Sequence, residues 1–262
     1  MMLLSVSKLS VAFGGVRAID GITFDVAAGL VFSIIGPNGA GKTTLFNAIS
    51  GLYATQAGHV RLAGEDVTGR YPENLARCGL SRTFQNLELF GRMSAIENVM
   101  VGHHRHERSG LLADLFHLPG CTRQNARTRA AALDALDRVG LTAMAGRSPA
   151  TLPYGALKRL EIARALASRP QVLLLDEPAA GCNATESAEL AAVIRGIARD
   201  GITILLVEHD MGMVMNISDR IHVLANGRTI AEGTAAEVRA NEAVTAAYLG
   251  GGNKTRQSHA VR

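Results

Sequence analysis

Apolar and polar residues alternate along two segments near the N-terminus, residues 3–13 and 22–26. This alternation predicts antiparallel strands that bury one face. Three later stretches carry nearly continuous apolar runs instead, namely VFSIIG at 31–36, QVLLLDEP at 171–178 and ITILLVEHD at 202–210. Such runs predict strands covered on both faces, and strands separated by helices predict a parallel sheet. The pattern therefore indicates an α/β fold.

Helical spacing replaces the strand pattern between residues 86 and 156. An apolar stripe at i, i+1, i+4 and i+7 is formed by Ala132, Leu133, Leu136 and Val139. Its spacing predicts an amphipathic helix. The segment is therefore expected to be an inserted helical subdomain.

This insertion suggests how the chain is organised. We expect one domain over residues 1–250. Its α/β core, with the antiparallel β subdomain, takes residues 1–85 and 157–250, and the helical subdomain takes 86–156. Residues 251–262 are expected to form a disordered tail, because their few basic residues stand among small and polar ones.

Turn and cap signals divide the second half of the chain. Asn183 with Glu186 three residues later predicts the start of a helix. Thr234 with Glu237 repeats this capping pattern before the last helical stretch. The Asn-Gly pair at 226–227 predicts a hairpin turn between two strands.

Composition narrows the class of protein. The chain has 262 residues, 47% hydrophobic and 19% charged, which suits a globular protein with one large core. No uninterrupted apolar run approaches the roughly 18–20 residues that span a bilayer. The first residues alternate in polarity and lack the apolar centre of a signal peptide. We therefore expect a cytosolic chain.

Charge and cysteine content exclude further classes. The net charge is +4, but basic residues are spread along the chain among acidic ones, so no nucleic-acid partner is expected. Cys78, Cys121 and Cys182 are an odd number without close spacing. This arrangement argues against a disulfide framework or a zinc site.

The segment GPNGAGKT at 36–43 fits the phosphate-binding pattern G-x-x-x-x-G-K-[ST] between a predicted strand and a predicted helix. Glycines let backbone N–H groups surround phosphates at a helix N-terminus, whose dipole favours anions. Lys42 is expected to reach the β- and γ-phosphates, and Thr43 to offer its hydroxyl to Mg²⁺. The residues predicted to bind ATP here are Gly36, Pro37, Asn38, Gly39, Ala40, Gly41, Lys42, Thr43 and Thr44.

Two adjacent acids, Asp176 and Glu177, follow the second apolar run. The end of a buried strand is where open α/β sheets bind ligands. Asp176 is expected to hold Mg²⁺ through water. Glu177 is expected to orient or deprotonate the water that attacks ATP.

Together these residues resemble the ATP-binding subunits of ABC transporters, and the resemblance covers nearly the whole chain. It implies that Gln85 in SRTFQ joins the core to the helical subdomain and contributes to catalysis and Mg²⁺ binding. It implies that His209 in LLVEHD senses the γ-phosphate, and that Phe13 in VAFGG stacks on adenine. The segment 152–166 resembles the family signature with its following helix, and AGCN at 180–183 resembles the D-loop.

Several segments are similar in sequence to the branched-chain amino acid importer ATPases. They are SRTFQNLELF, GALKRLEIARAL, DEPAAG and AYLGG near the C-terminus. The long insertion GHHRHERSGLLADLFHLPG is similar to the larger of the two ATPases in such importers. The resemblance implies a second ATPase subunit in a heterodimer, two membrane permeases and, indirectly, a periplasmic binding protein. It implies a peripheral position on the cytoplasmic face of the inner membrane. His103, His104 and His106 lack a nearby carboxylate or cysteine pattern, so the metal-site interpretation is the weaker one.

The signature departs from its family. Where this branch has Leu-Ser-Tyr-Gly-Gln, the chain has Leu152, Pro153, Tyr154, Gly155 and Ala156. Proline removes a hydroxyl and a backbone N–H, and alanine removes an amide. In the family, the signature of one chain faces the ATP held by the other chain. The resemblance therefore implies a competent site on this chain's own P-loop and a weakened site on the partner's.

Other interpretations stay open at this point. The main alternative is a nucleotide-sensing ABC module with a weakened signature and no direct transport role. A regulatory subunit without catalysis is a third interpretation, against which Glu177 and His209 argue. A nucleoside kinase fits least, because it needs neither residues 152–166 nor His209. Hydrophobic amino acids, urea and short amides are all plausible cargoes at this stage.

Overall fold

The computed structural model describes residues 2–83, 87–103 and 119–250 of the chain. These residues form two compact units. The first unit combines Met1–Pro72 with Thr203–Arg262, and the second is Glu73–Ile202. Gln85, His104, His106 and the expected tail at 251–262 lie outside the described residues.

The regular elements follow the order that the hydrophobic pattern predicts. The strands are β1 (Met2–Phe13), β2 (Val16–Ala27), β3 (Val31–Ile35), β4 (Ala57–Leu62), β5 (Glu65–Asp66), β6 (Leu80–Arg82), β7 (Val172–Asp176), β8 (Thr203–Val207), β9 (Arg220–Ala225) and β10 (Arg228–Gly233). The described α-helices are α1 (Lys42–Ile49), α2 (Pro72–Arg77), α3 (Ala95–His103), α4 (Pro119–Arg138), α5 (Tyr154–Leu166), α6 (Ala184–Arg199), α7 (Met211–Ile217), α8 (Ala235–Ala240) and α9 (Glu242–Gly250). Among them, none has the length and apolar character needed to cross a membrane.

In the first unit, the alternating N-terminal segments form an antiparallel sheet in the order β2-β1-β4-β5. The inward side chains of β1 change phase between Val6 and Leu9, where the register with β2 shifts. Lys8 has a φ of 48° at this point. A β-bulge of this kind turns the next apolar residues back toward the buried face.

The apolar runs of the first unit form its parallel strands. β3 pairs in parallel with β8 on one side and with β9 on the other. β9 then turns into β10 at Asn226 and Gly227, which have φ values of 50° and 74°. Two positive φ angles are what a two-residue hairpin turn requires, so the predicted Asn-Gly turn is confirmed. Both predicted capping boxes, at Asn183 and Thr234, are also present.

The second unit holds the short parallel pair of β6 and β7 together with α3 to α6. The stripe is buried at Ala132 and Leu136 within α4 and at Val139 directly after it, as predicted. The fourth buried position is Ala135 rather than Leu133, which is only half-buried. A helix of 3.6 residues per turn places i+3 on the face of i, which explains the difference.

Candidate nucleotide-binding site

The P-loop connects β3 to α1 within the first unit. Gly41 stands at the N-cap of α1 with a φ of 101°, and no side chain caps this helix. Glycine has no side chain to cap the helix, and a helix N-terminus of this kind suits an anion. A Cβ at Gly36 would lie 2.1 Å from the Leu224 oxygen, and one at Gly41 would lie 2.6 Å from the Ala18 oxygen. Close packing of the loop thus requires both glycines.

The Lys42 side chain is held by the backbone of the loop itself. Its Nζ donates to the Gly36 carbonyl at 2.7 Å and to the Pro37 carbonyl at 3.1 Å. The residue is only 5% exposed. Backbone carbonyls therefore fix the position of this ammonium group, which suits electrostatic stabilisation of a phosphate.

Tyr248 on α9 is a neighbour of the P-loop that sequence reasoning missed. Burial raises the pKa of its phenol, and the nearby backbone N–H of Gly36 partly offsets this rise. The residue belongs to the segment AYLGG, and no local sequence pattern indicates that this segment lies near the P-loop. The contact ties the last described helix to the start of the loop.

Phe13 and His209 also belong to the first unit. Phe13 is 48% exposed and contacts Tyr53 edge-on, with 5.2 Å between the ring centroids. An exposed aromatic ring is available for stacking on a base. His209 follows β8, and because β8 and β3 are parallel neighbours, His209 and the P-loop lie at the same edge of the strands. Its backbone N–H donates to the buried Glu208 carboxylate at 2.9 Å, which fixes the turn.

Asp176 ends β7 in the second unit and forms a buried ion pair. Its Oδ2 lies 2.7 Å from Arg82 Nη2. The side chains of Arg82 and Asp176 are only 8% and 7% exposed. Sequence reasoning missed Arg82, because an arginine at the end of a short strand gives no local signal of its partner 94 residues away.

Glu177 has an uncommon backbone conformation. Its φ is 47°, in the left-handed region that non-glycine residues seldom adopt. Its carbonyl accepts the Ala180 N–H at 3.1 Å, closing a turn directly after β7. Strained positions of this kind cluster at functional sites, which agrees with the role predicted for Glu177.

The signature lies at the start of α5, also in the second unit. Pro153 is the N-cap of α5, and no side-chain cap is present. Tyr154 is 40% exposed, whereas Ala156 is only 2% exposed. Leu152 is buried as well. A glutamine at position 156 would therefore need space that the described packing does not provide.

Among the three insertion histidines, only His103 is described. It is 7% exposed, and its Nδ1 lies 3.0 Å from the Ala167 carbonyl. Its contacts are those of a core histidine. The described residues contain no group of three or more potential metal-ligating side chains.

Mg²⁺ fits the donors that the sequence assigns to it. Hard cations of this size take hydroxyl and carboxylate oxygens together with water. Thr43 and Asp176 supply such oxygens. The described parts of the chain therefore contain suitable ligands, and the assignment of Mg²⁺ stays a prediction.

Comparisons with known proteins agree on one family. A family model described as ABC transporter matches residues 19–180, and one described as Branched-chain amino acid ATP-binding cassette transporter matches residues 228–253. The high-affinity branched-chain amino acid transport ATP-binding protein BraF of Pseudomonas aeruginosa is 46% identical, over 95% of this chain and 98% of that protein. LivG of Escherichia coli, with the same description, is 42% identical over 95% of this chain and 98% of that protein.

Solved structures agree with these relatives. The ADP conformation of MJ1267, an ATP-binding cassette of an ABC transporter, has a TM-score of 0.83 and 30% identity. The match covers 95% of this chain and 99% of that one.

The chain therefore belongs to the ABC transporter family of ATP-binding proteins. Within it, the similarity is to branched-chain amino acid transport ATP-binding proteins. The predicted α/β fold of an ABC ATPase is confirmed, as are nucleotide binding and an ATPase activity coupled to transport. None of the similarities supports the alternative of a nucleotide-sensing module without transport.

Proposed function

We propose that this chain is the ATP-hydrolysing subunit of an importer that takes up branched-chain or related amino acids. The observation that carries the proposal is the uncapped N-terminus of α1 behind a P-loop whose glycines and Lys42 are fixed by backbone contacts. The identity of 46% with a branched-chain amino acid transport ATP-binding protein supports the cargo class.

Different residues bind different parts of the ATP molecule. Backbone N–H groups of the P-loop and of the first turn of α1 surround the phosphates, and Lys42 offsets the charge of the β- and γ-phosphates. Phe13 stacks on the adenine, and its exposed ring supports this role. Thr43, Asp176 and Gln85 would hold Mg²⁺, which would neutralise charge on the phosphates.

Hydrolysis depends on a second set of residues. Glu177 orients the attacking water and accepts its proton, and the constrained turn after β7 supports a fixed direction for its side chain. His209 contacts the γ-phosphate. Gln85 links contact with the γ-phosphate to the position of the helical subdomain.

The importer needs partners that supply the membrane path. A second ATPase subunit, two permeases and a periplasmic binding protein complete it, with this chain on the cytoplasmic face of the inner membrane. We place the permease contact near residues 85–100. Phe90 and Met93, which are 47% and 38% exposed, support an apolar docking surface there. Cysteines introduced at these two positions should crosslink to the permease, whereas cysteines at Arg228 and Glu232 should not.

The cargo assignment is tested by transport. The complex of this chain with its two permeases, second ATPase and binding protein should take up leucine, isoleucine and valine into proteoliposomes loaded with ATP. Urea and a short amide serve as competing cargoes in the same assay. ATP-driven uptake of urea or the amide alone would keep the ATPase assignment and overturn the cargo.

A further inference from the structure

Glu186 is a side chain with both carboxylate oxygens engaged by different segments. Oε1 accepts the backbone N–H of Gly155 at 3.0 Å, and Oε2 accepts the backbone N–H of Asn183 at 3.0 Å. Gly155 is in the signature, 31 residues away, and Asn183 ends the D-loop. One carboxylate therefore connects the signature to the D-loop within the second unit.

The glycine at 155 is explained by this contact. A Cβ there would lie 2.8 Å from Glu186 Cγ and 3.0 Å from its Cβ and Cδ. Unlike Gly181, Gly155 has no left-handed backbone angle that would call for glycine. The close approach of Glu186 is thus the reason that no side chain fits at this position.

Tyr154 forms a second connection between the same two segments. Its hydroxyl donates to the Ala180 carbonyl at 3.1 Å. Its ring atoms would lie 3.0 to 3.2 Å from a Cβ at Gly181, whose φ is 83°. Tyr154 of the signature therefore packs closely against Gly181 of the D-loop. On the same ring, Lys158 Nζ lies 5.7 Å from the centroid.

These contacts leave the signature few donors of its own. Pro153 has no N–H, and the Gly155 N–H is donated to Glu186. The effect of the signature on a neighbouring phosphate then depends chiefly on where the start of α5 and its dipole are held.

We propose that Glu186 is a positioning residue that fastens the signature, residues 152–156, to the D-loop, residues 180–183, so that both reach the partner's nucleotide as one body. The proposal rests on the transport-ATPase function proposed above. Glu186 acts through Gly155 and the D-loop and does not contact ATP itself.

A matched control exists in the first unit. Glu237 forms the same capping box with Thr234, through Oε2 at 2.7 Å from the Thr234 N–H. It caps α8, and its carboxylate accepts hydrogen bonds from Thr234 and not from the signature. Glu186→Ala and Glu237→Ala thus remove the same type of cap, and only the first also removes the connection to Gly155.

Hydrogen exchange on the isolated chain tests the connection without needing transport. In Glu186→Ala, the amides of residues 152–158 should exchange about tenfold faster than in the parent, because the Gly155 N–H loses its acceptor. In Glu237→Ala, this segment should exchange at the parental rate. Equal exchange of the segment in both variants would show that the carboxylate does not hold the signature.

Steady-state hydrolysis by the assembled complex tests the consequence at the partner's site, so parent and variants are compared with Glu177→Gln added to disable this chain's own site. Glu186→Ala should lower kcat about tenfold with the KM for ATP changed less than twofold, because both P-loops still bind nucleotide. Glu186→Gln, which can accept only one of the two bonds, should fall between parent and Glu186→Ala. Glu237→Ala should match the parent in both constants.

Three outcomes would overturn the proposal. They are a Glu186→Ala complex as fast as the parent, a loss shared equally by Glu237→Ala, or a Glu186→Gln complex faster than the parent. The last result would mean that the negative charge competes with the partner's phosphate. A parental complex without ATPase activity would instead refute the proposed function, and the exchange experiment would still decide on the connection.

Discussion

The P-loop and the region from β6 to the D-loop fix their functional groups by different means. In the P-loop, the ammonium of Lys42 is held by the carbonyls of Gly36 and Pro37, so the backbone of one short segment determines the geometry. In the second region, Asp176 is held by Arg82, 94 residues away, and Gly155 by Glu186, 31 residues away. Lys42 and the carbonyls that hold it all lie within one sequence motif. The second region depends on side chains that no local motif includes.

The largest effect is expected at the end of β7. Glu177→Gln should retain nucleotide binding and slow hydrolysis at this chain's own site by about 10²–10⁴-fold, because the amide keeps the shape of the side chain and loses its basicity. Steady-state ATPase of a reconstituted complex in which the partner's P-loop is disabled measures this loss. The exposed Glu73 of the same unit gives the control Glu73→Gln, which should hydrolyse ATP at the parental rate. A parental rate in Glu177→Gln would show that another residue activates the water.

A loss of binding is expected in the P-loop. Lys42→Ala removes the cation that the loop carbonyls hold, and the affinity for ATP should fall by about 10²–10³-fold. Titration with a fluorescent ATP analogue measures the change. Lys8→Ala, at an exposed position of the same unit, should bind like the parent. Unchanged affinity in Lys42→Ala would contradict the assignment of the loop.

The buried ion pair should contribute to stability. Arg82→Ala leaves the Asp176 carboxylate buried without its partner and should lower the free energy of unfolding by about 3–5 kcal/mol. Chemical denaturation of the isolated chain measures the change. The exposed pair of Arg70 and Glu65, at 2.6 Å, gives the control Arg70→Ala, which should cost less than about 1 kcal/mol. Equal losses in both variants would mean that Asp176 does not depend on Arg82.

A substitution in the signature is expected to increase the rate of ATP hydrolysis. Pro153→Ser restores a hydroxyl and an N–H at the start of α5, and a charge-assisted hydrogen bond is worth roughly 1.5–3 kcal/mol. The partner's site should therefore hydrolyse ATP about tenfold faster. Because Pro153 lies at the N-cap, where serine is favoured, the melting temperature should not fall. We propose this single substitution because Ala156 is buried and a glutamine there would disturb the packing.

The smallest effect concerns pH. The N–H groups of Asn183 and Gly155 lower the pKa of Glu186 below its ordinary value of 4.5. A lowered pKa contributes stability that is present above pH 4.5 and is lost as the pH falls through the folded-state pKa. The difference in melting temperature between the parent and Glu186→Gln should thus shrink as the pH is lowered from 6 to 3 (roughly the range over which carboxyl groups titrate). A difference that stays constant over this range would contradict the role of the charge.

Local features of the fold were predictable from the sequence. The strands, the Asn226–Gly227 turn and the capping boxes depend on residues within a few positions of each other, so their patterns are visible in the sequence. The P-loop was predictable for the same reason. The roles of its residues, and of Asp176, Glu177 and His209, stay predictions that the variants above test.

Long-range contacts were not predictable. Arg82, Glu186 and Tyr248 each act on a functional segment far away in sequence, and their own surroundings resemble those of ordinary strand and helix residues. Leu133 was assigned to the buried stripe of α4 because the sequence does not say which neighbour is packed against the helix. The bulge at Lys8 likewise appears only when the pairing of β1 and β2 is known.

The contrast between the two regions is tested most directly by ATP hydrolysis in a complex that carries Glu177→Gln. This background disables the chain's own site, so the remaining turnover belongs to the partner's site. Adding Pro153→Ser should raise that turnover about tenfold, because the signature gains a donor toward the partner's phosphate. No increase, in a complex with confirmed assembly, would show that the signature of this chain is already sufficient and that the partner's site is not weakened.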